Sequence, residues 1–306
     1  MASIELDGVT KRFGNVTALN NLDLTVNEGE IYGFLGPNGA GKSTTINILL
    51  DFVRPTSGNV QVLGHDAHEE SVAVRQRVGV LPDGYHVYDR LTGRKHLQFA
   101  IDSKEANDDP DAILERVGIA DDGDRKAGGY SKGMKQRLVL GMALVGKPDL
   151  LILDEPSTGL DPSGAREMRE IIRQERDRGA AVFFSSHILG QVDAVCDRVG
   201  ILREGELVAE DTVSGLRNAV STGSTLVVNV DHVPNDIKGR LQALTGVSSV
   251  TVDDTVIKID TNNGSKSAVL TTIEESGVNV EDFSTRDASL EDLFIAYTSD
   301  KQEVTA

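Results

Sequence analysis

Cysteine is almost absent: Cys196 is the only one in 306 residues. No internal disulfide can staple the fold, and no cysteine cluster can hold zinc. Cys196 itself reads as a small residue on a helix face. Long apolar runs are missing too. No window approaches 18 consecutive apolar residues, and residues 1–7 lack the basic, apolar organisation of a signal peptide. That predicts a cytosolic chain that reaches a membrane only through a partner. Basic residues are scarce, with 31 Lys plus Arg against 48 Asp plus Glu and a formal net charge of −17. Runs such as Asp108-Asp109-Pro110-Asp111 and Asp121-Asp122-Gly123-Asp124 concentrate the acid. Such a surface repels nucleic-acid phosphates, so no nucleic-acid partner is expected. Asp in excess over Glu, with little Lys, predicts adaptation to high salt, where self-repulsion is screened.

What is present is concentrated in eight residues: Gly36, Pro37, Asn38, Gly39, Ala40, Gly41, Lys42 and Ser43. They fit G-x-x-x-x-G-K-[ST] between an apolar run at 31–35 and a helix expected over 44–52. The glycines let backbone N–H groups close on phosphate oxygens. The helix adds its positive N-terminal end. Lys42 can reach terminal phosphates, and the Ser43 hydroxyl is placed to ligate Mg²⁺. The pattern implies binding of a nucleoside triphosphate.

Two domains are expected, 1–211 and 212–306. In the first, alternating segments at 4–6 and 22–26 read as half-buried strands. Residues 89–145 read as helical, interrupted by the acidic loops. Apolar runs at 150–153 and 181–184, separated by a helix over 164–178, indicate a parallel sheet covered on both faces. A closing hairpin is expected over 199–209, turning at Glu204-Gly205. After a small polar linker at 221–224, the second domain reads β-α-β-β-α-β: strands at 225–230, 247–252, 256–259 and 278–283, with helices at 235–244 and 265–276. That order is ferredoxin-like. No phosphate loop, metal cluster or nucleophile pair appears in it, which suits a regulatory or interaction domain.

The run 150–153 ends in Asp154-Glu155. Asp154 would hold Mg²⁺ through its shell, and Glu155 would polarise the attacking water as general base. Strand alternation would point the two carboxylates to different sides. A further buried strand ends at Ser185-Ser186, with His187 just beyond. Gly36, Asp154, Glu155 and His187 all fall past the carboxyl ends of strands, where open α/β sheets bind ligands. His65, His68, His86, His96 and His232 read as structural, although His65 and His68 have the spacing of a ligand pair. Tyr130-Ser131-Lys132-Gly133-Met134-Lys135-Gln136-Arg137 opens a helix with Ser131 as N-cap. Its exposed N–H groups suit a phosphate, yet nothing in the strand order brings them to Lys42. Residues 85–96 form a local basic and aromatic stretch, either a docking surface or a solvated helix start.

In this set of motifs the chain resembles the nucleotide-binding subunit of ABC transporters over about residues 3–211. The phosphate loop, the 130–136 signature, Asp154-Glu155, Thr158-Gly159-Leu160-Asp161 and His187 occur in that family's order. The resemblance implies a P-loop NTPase domain of mostly parallel sheet, with an antiparallel β subdomain and a helical signature subdomain, followed by the small α+β domain. It implies a homodimer that traps ATP and Mg²⁺ between one phosphate loop and the partner's signature. ATP contacts would come from 36–43, Thr44, and the signature residues Ser131, Lys132 and Gly133. Phe13 would stack on adenine, Asp161 would contact the opposing site, and His187 would touch the γ-phosphate. Tyr130, Lys132 and Met134 depart from the usual Leu-Ser-Gly-Gly-Gln and look like forms from multidrug and antibiotic export systems. Asp83 stands where the family carries Gln or Glu, and would act on Mg²⁺ and the attacking water. The ending Leu290-Glu291-Asp292-Leu293-Phe294 resembles export-type subunits with an accessory domain. The expected role is ATP hydrolysis that powers export through a separate permease, without direct contact to the transported substrate. It would take place at the cytoplasmic face of the plasma membrane. The alternatives are an importer ATPase or a soluble ABC-type ATPase.

Overall fold

The computed structural model describes residues 1–220, 224–234, 236–261 and 265–286. The 290–294 ending lies outside them. The chain divides into two compact units, Met1–Asp211 and Thr212–Ala306.

In the first unit the elements run β1 (Ala2–Phe13), β2 (Val16–Asn27), β3 (Ile31–Leu35), α1 (Lys42–Leu49), β4 (Ser57–Val62), β5 (His65–Asp66), α2 (Ser71–Arg77) and β6 (Val78–Leu81). They continue with α3 (Gly93–Ser103), α4 (Pro110–Arg116), α5 (Lys132–Leu144), β7 (Leu150–Asp154), α6 (Pro162–Asp177), β8 (Ala181–Ser186), α7 (Leu189–Asp193), β9 (Arg198–Arg203) and β10 (Glu206–Thr212). β10, β9, β3, β8, β7 and β6 form one sheet in that order, and the β9-β3-β8-β7-β6 pairs are parallel. Every residue of β3, β7 and β8 is buried, which is why these strands read as continuous apolar runs. β2, β1, β4 and β5 form a separate antiparallel sheet. Ile4, Leu6, Leu24 and Val26 from it share one core with Tyr32, Phe34, Ile152 and Phe183 of the parallel sheet. Each strand of the long β1–β2 hairpin covers 12 residues, well beyond the segments expected from alternation, because register shifts interrupt the alternating pattern.

The expected helical region 89–145 is three α-helices with two 3₁₀ turns, Ala120–Asp122 and Ala127–Gly129, between the last two. Pro110 starts α4 with Asp109 as cap, and Ser131 caps α5. The stretch 85–96 is not a continuous basic surface. Arg94 pairs with Asp111 and Asp124. His96 is buried, with Nε2 accepting from the Tyr88 amide at 2.9 Å and Nδ1 facing the Thr92 carbonyl at 2.8 Å.

The second unit runs α8 (Val213–Val220), β11 (Ser224–Val230), α9 (Ile237–Gln242), β12 (Val247–Asp253), β13 (Val256–Thr261), α10 (Lys266–Glu275) and β14 (Val280–Arg286). Its sheet order is β12-β13-β11-β14, all antiparallel. This is the ferredoxin-like arrangement expected from element order. Leu226, Val228, Ile257 and Ile259 meet Ile237, Leu241, Val269 and Ile273 in a core of its own.

Candidate functional site

The phosphate loop joins β3 to α1, and its backbone geometry explains its composition. Gly41 caps α1 at φ 117°, a conformation L side chains avoid, and a Cβ there would lie 2.8 Å from the Ala18 carbonyl oxygen. Lys42 is buried, and its Nζ donates to the Gly36 carbonyl at 2.6 Å and the Pro37 carbonyl at 3.3 Å. Burial lowers the pKa of its ammonium, and the Glu155 and Asp154 carboxylates work against that fall. A cavity of about 160 Å³ is lined by Asn38, Gly39, Gly41, Lys42, Ser43 and Thr44, with Ala18.

The carboxylates stand at the end of β7 in the same sheet. Asp154, the last residue of β7, is 7% exposed, and its Oδ1 accepts from the Ser185 hydroxyl. Burial raises its pKa above the usual carboxylate range. The Ser185 bond opposes that rise, the charges of Asp83 and Glu155 add to it, and Lys42 offsets part of it. Glu155 lies just past the strand at φ 49°. The two carboxylates take different partners, Asp154 the Ser185 hydroxyl and Glu155 His187 and the Ser186 hydroxyl. Glu155 Oε1 is 2.7 Å from His187 Nδ1, and Oε2 accepts from the Ser186 hydroxyl at 3.3 Å. The Ser186 Oγ also accepts from the Ile188 amide at 3.0 Å.

A second cavity, of about 400 Å³, holds Asp83, Asp154 and Glu155 together with Tyr130, Lys132, Gln136 and Thr158. Thus the loop 36–44 and the carboxylates sit in adjoining parts of one sheet end, coupled through the charge of Lys42. The signature residue Lys132 shares the carboxylate cavity and not that of the loop. Asp83 is exposed, and its Oδ1 accepts from the Gly84 amide at 2.9 Å. Phe13 lines neither cavity. It stands at the end of β1, 49% exposed, with Lys11 Nζ 4.7 Å from its ring centre. Ser131 accepts from the Met134 amide at 3.2 Å, and Asp161 caps α6 by accepting from the Gly164 amide at 2.8 Å. Gly133 packs beside Leu160.

Three contacts were not foreseen from sequence. Ser185 and Ser186 hold the two carboxylates, but serines at a strand end carry no distinctive signal. Gln136 is buried and donates from Nε2 to the Pro156 carbonyl at 2.7 Å, tying α5 to the loop after Glu155. His65 and His68 turn to different carboxylates, Glu70 and Asp51, so they form no ligand pair. Cys196 is partly buried behind β3, and burial pushes its thiol pKa well up.

A parallel sheet with a glycine-capped phosphate loop and acidic strand ends defines a phosphate-loop nucleoside triphosphatase. Residues 19–158 match the family described as ABC transporter, and residues 212–298 match that described as ATP-binding protein DrrA1-3-like, C-terminal domain. Daunorubicin resistance ATP-binding protein DrrA3 of Streptomyces coeruleorubidus is 34% identical over 99% of this chain and 98% of its own. Linearmycin resistance ATP-binding protein LnrL of Bacillus subtilis is 31% identical over 96% and 98%. Bacitracin transport ATP-binding protein BcrA of Bacillus licheniformis is 40% identical over 68% and 69%. A solved ATP-binding subunit of an ABC transporter superposes with TM-score 0.66 at 26% identity, covering 71% of this chain and 92% of that one. A dimeric ATP-binding cassette bound to ADP and phosphate has TM-score 0.64 at 23% identity, over 69% and 98%, a likeness of fold. The chain belongs to the ATP-binding, ATP-hydrolysing subunits of ABC transporters. Among the described residues, no helix is long and apolar enough to cross a membrane.

Proposed function

We propose that two copies of this chain close around ATP and Mg²⁺ and drive a separate membrane permease that exports a small molecule. The names of the relatives favour a drug or antibiotic as cargo. The chain would then work at the cytoplasmic face of the membrane. The observation that carries this reading is Glu155, held by His187 and Ser186 one residue past Asp154 and facing the cavity that also holds Asp83 and Lys132.

Residues 36–44 bind the triphosphate, with Lys42 exchanging its loop carbonyls for phosphate oxygens, and Phe13 stacks on adenine. The donor set suits Mg²⁺: the exposed Ser43 hydroxyl and the carboxylates of Asp154 and Asp83 are hard oxygen ligands. When bound, the ion neutralises charge on the phosphates. Glu155 takes a proton from the attacking water, oriented by the bond to His187, which also faces the γ-phosphate. Ser131, Lys132 and Gly133 of one copy meet the nucleotide of the other, and Asp161 of each copy contacts the opposing site. Because each nucleotide bridges two chains, its affinity drives association, and loss of the γ-phosphate lets the dimer open.

An apolar groove of about 500 Å³ between Phe52, Val80, Tyr85, Phe99 and Met142 supports docking of the permease. Phe52 and Phe99 are 68% and 60% exposed there. The test has two parts. Glu155→Gln is expected to bind ATP, accumulate a dimer in light scattering and lose hydrolysis by about a hundredfold or more; undiminished hydrolysis would remove Glu155 as base. Affinity purification from detergent-solubilised native membranes is expected to recover a stoichiometric polytopic protein. Recovery only from the soluble fraction would remove export.

A further inference from the structure

Lys132 touches two segments besides its own helix. Its stem lies along Gly159: a Cβ built on Gly159 would sit 2.5 Å from Lys132 Cδ, 2.6 Å from Cε and 2.9 Å from Cγ. Gly159 has φ 85°, so the loop passes there in a conformation that leaves its Cα bare to receive the stem. On the other side, the Lys132 carbonyl accepts from the Tyr85 hydroxyl at 3.3 Å. Tyr85 lines both the carboxylate cavity and the apolar groove.

The loop under Lys132 runs from Glu155 to Asp161. It is held at its near end by Gln136 on the Pro156 carbonyl and internally by bonds from the Thr158 amide to the Glu155 carbonyl and from the Leu160 amide to the Ser157 carbonyl. At its far end Asp161 caps α6. Between those anchors, the cover on Gly159 comes from the Lys132 stem. Three methylenes packed on backbone contribute by contact, not by charge.

We propose that Lys132 is a positioning residue: its aliphatic stem, packed on Gly159, sets the loop that carries Glu155 and Asp161. This rests on the assignment of Glu155 as base. A stem that fixes a catalytic loop acts on turnover, because small displacements of a base cost rate steeply. An ammonium that binds phosphate acts on apparent ATP affinity. The two roles separate in a pair of variants. Lys132→Met keeps most of the stem and loses the charge, whereas Lys132→Ala loses both.

The experiment is steady-state ATP hydrolysis by the purified full chain, with thermal unfolding of each variant as the check on folding. Both variants share whatever change in KM the ammonium accounts for. Lys132→Ala is expected to lower kcat about tenfold, and Lys132→Met to recover most of that loss, with both variants folded at the assay temperature. Equal kcat in the two variants would overturn the proposal, as would a loss confined to KM. Glu155→Gln run alongside tests the base separately, since the Lys132 variants are compared with one another.

Discussion

The two units are both sheets with helices, yet among the described residues only the first gathers chemistry. In Met1–Asp211, β3, β8 and β7 run parallel and in register, Leu35 beside Ser186 and Asp154 beside Ser185. Their carboxyl ends are therefore level, so Gly36, Glu155 and His187 emerge side by side, and the N-terminus of α1 points its amides to the same edge. In Thr212–Ala306 neighbouring strands alternate direction, so each edge mixes strand starts with strand ends. Its polar side chains satisfy one another: Thr225 donates to Asp260 at 2.5 Å and Ser249 to the same carboxylate at 2.6 Å. Strand direction decides whether side chains at strand ends can act together.

The sharpest way to break this contrast is at the parallel end. Lys42→Ala removes the cation that the loop buries beside Asp154 and Glu155. Turnover should fall about a thousandfold, with a matching loss of ATP binding, because a preorganised charge in a site shielded from water is worth far more than one in solvent. Hydrolysis assays and calorimetric titration with ATP would show it. Parental turnover would mean that the loop does not hold the phosphates.

The next largest effect belongs in the other unit. Ile259 is fully buried in the core of the antiparallel sheet. Ile259→Ala should cost about 2–5 kcal/mol there, read as a lowered midpoint for one of two calorimetric transitions, while kcat stays at the parental value. A fall in kcat together with that transition would show that the second unit takes part in assembling the ATP site.

Much of this contrast was legible beforehand. The phosphate loop and the strand ends at Asp154 and Ser186 stand out because fully buried parallel strands make unbroken apolar runs. The ferredoxin-like order follows from alternating short segments. Contacts made across the chain were not legible. Gln136 reads as an ordinary helix residue until Pro156 is placed beside it, and Lys132 as a nucleotide contact alone until Gly159 lies under its stem. The helical region 89–145 was legible together with its interruptions, because the acidic runs at 108–111 and 121–124 fall where the helices break. His96 reads as structural and is buried, but its partners, the Tyr88 amide and the Thr92 carbonyl, were not legible.

Asp83 offers a smaller effect. It is exposed, bonded to its own neighbour Gly84, and acts on Asp154 through charge. Asp83→Ala should lower kcat about tenfold, as loss of a supporting group around a metal site does, and change KM for ATP less. Equal turnover in variant and parent would remove Asp83 from the mechanism.

The smallest effect on stability has the opposite sign. Burial, with the charges of Asp83 and Glu155, raises the pKa of Asp154 in the fold. A raised folded-state pKa means the folded chain binds its proton more tightly than the unfolded chain. The stability this contributes is complete below the unfolded pKa and is lost as pH rises through the folded one. At neutral pH the ionised Asp154 is therefore a cost to the nucleotide-free chain. Asp154→Asn keeps an oxygen to accept from Ser185 and removes that cost, so the unfolding midpoint of the first unit should rise slightly at pH 7. The gain should vanish as pH falls below the unfolded pKa, where the parent carries the proton anyway. ATP turnover should be lost in the same variant, because the amide cannot serve as a charged metal ligand. A midpoint that falls at pH 7 would show instead that the charge at the end of β7 is compensated within the fold, and that the parallel edge holds its carboxylates without strain.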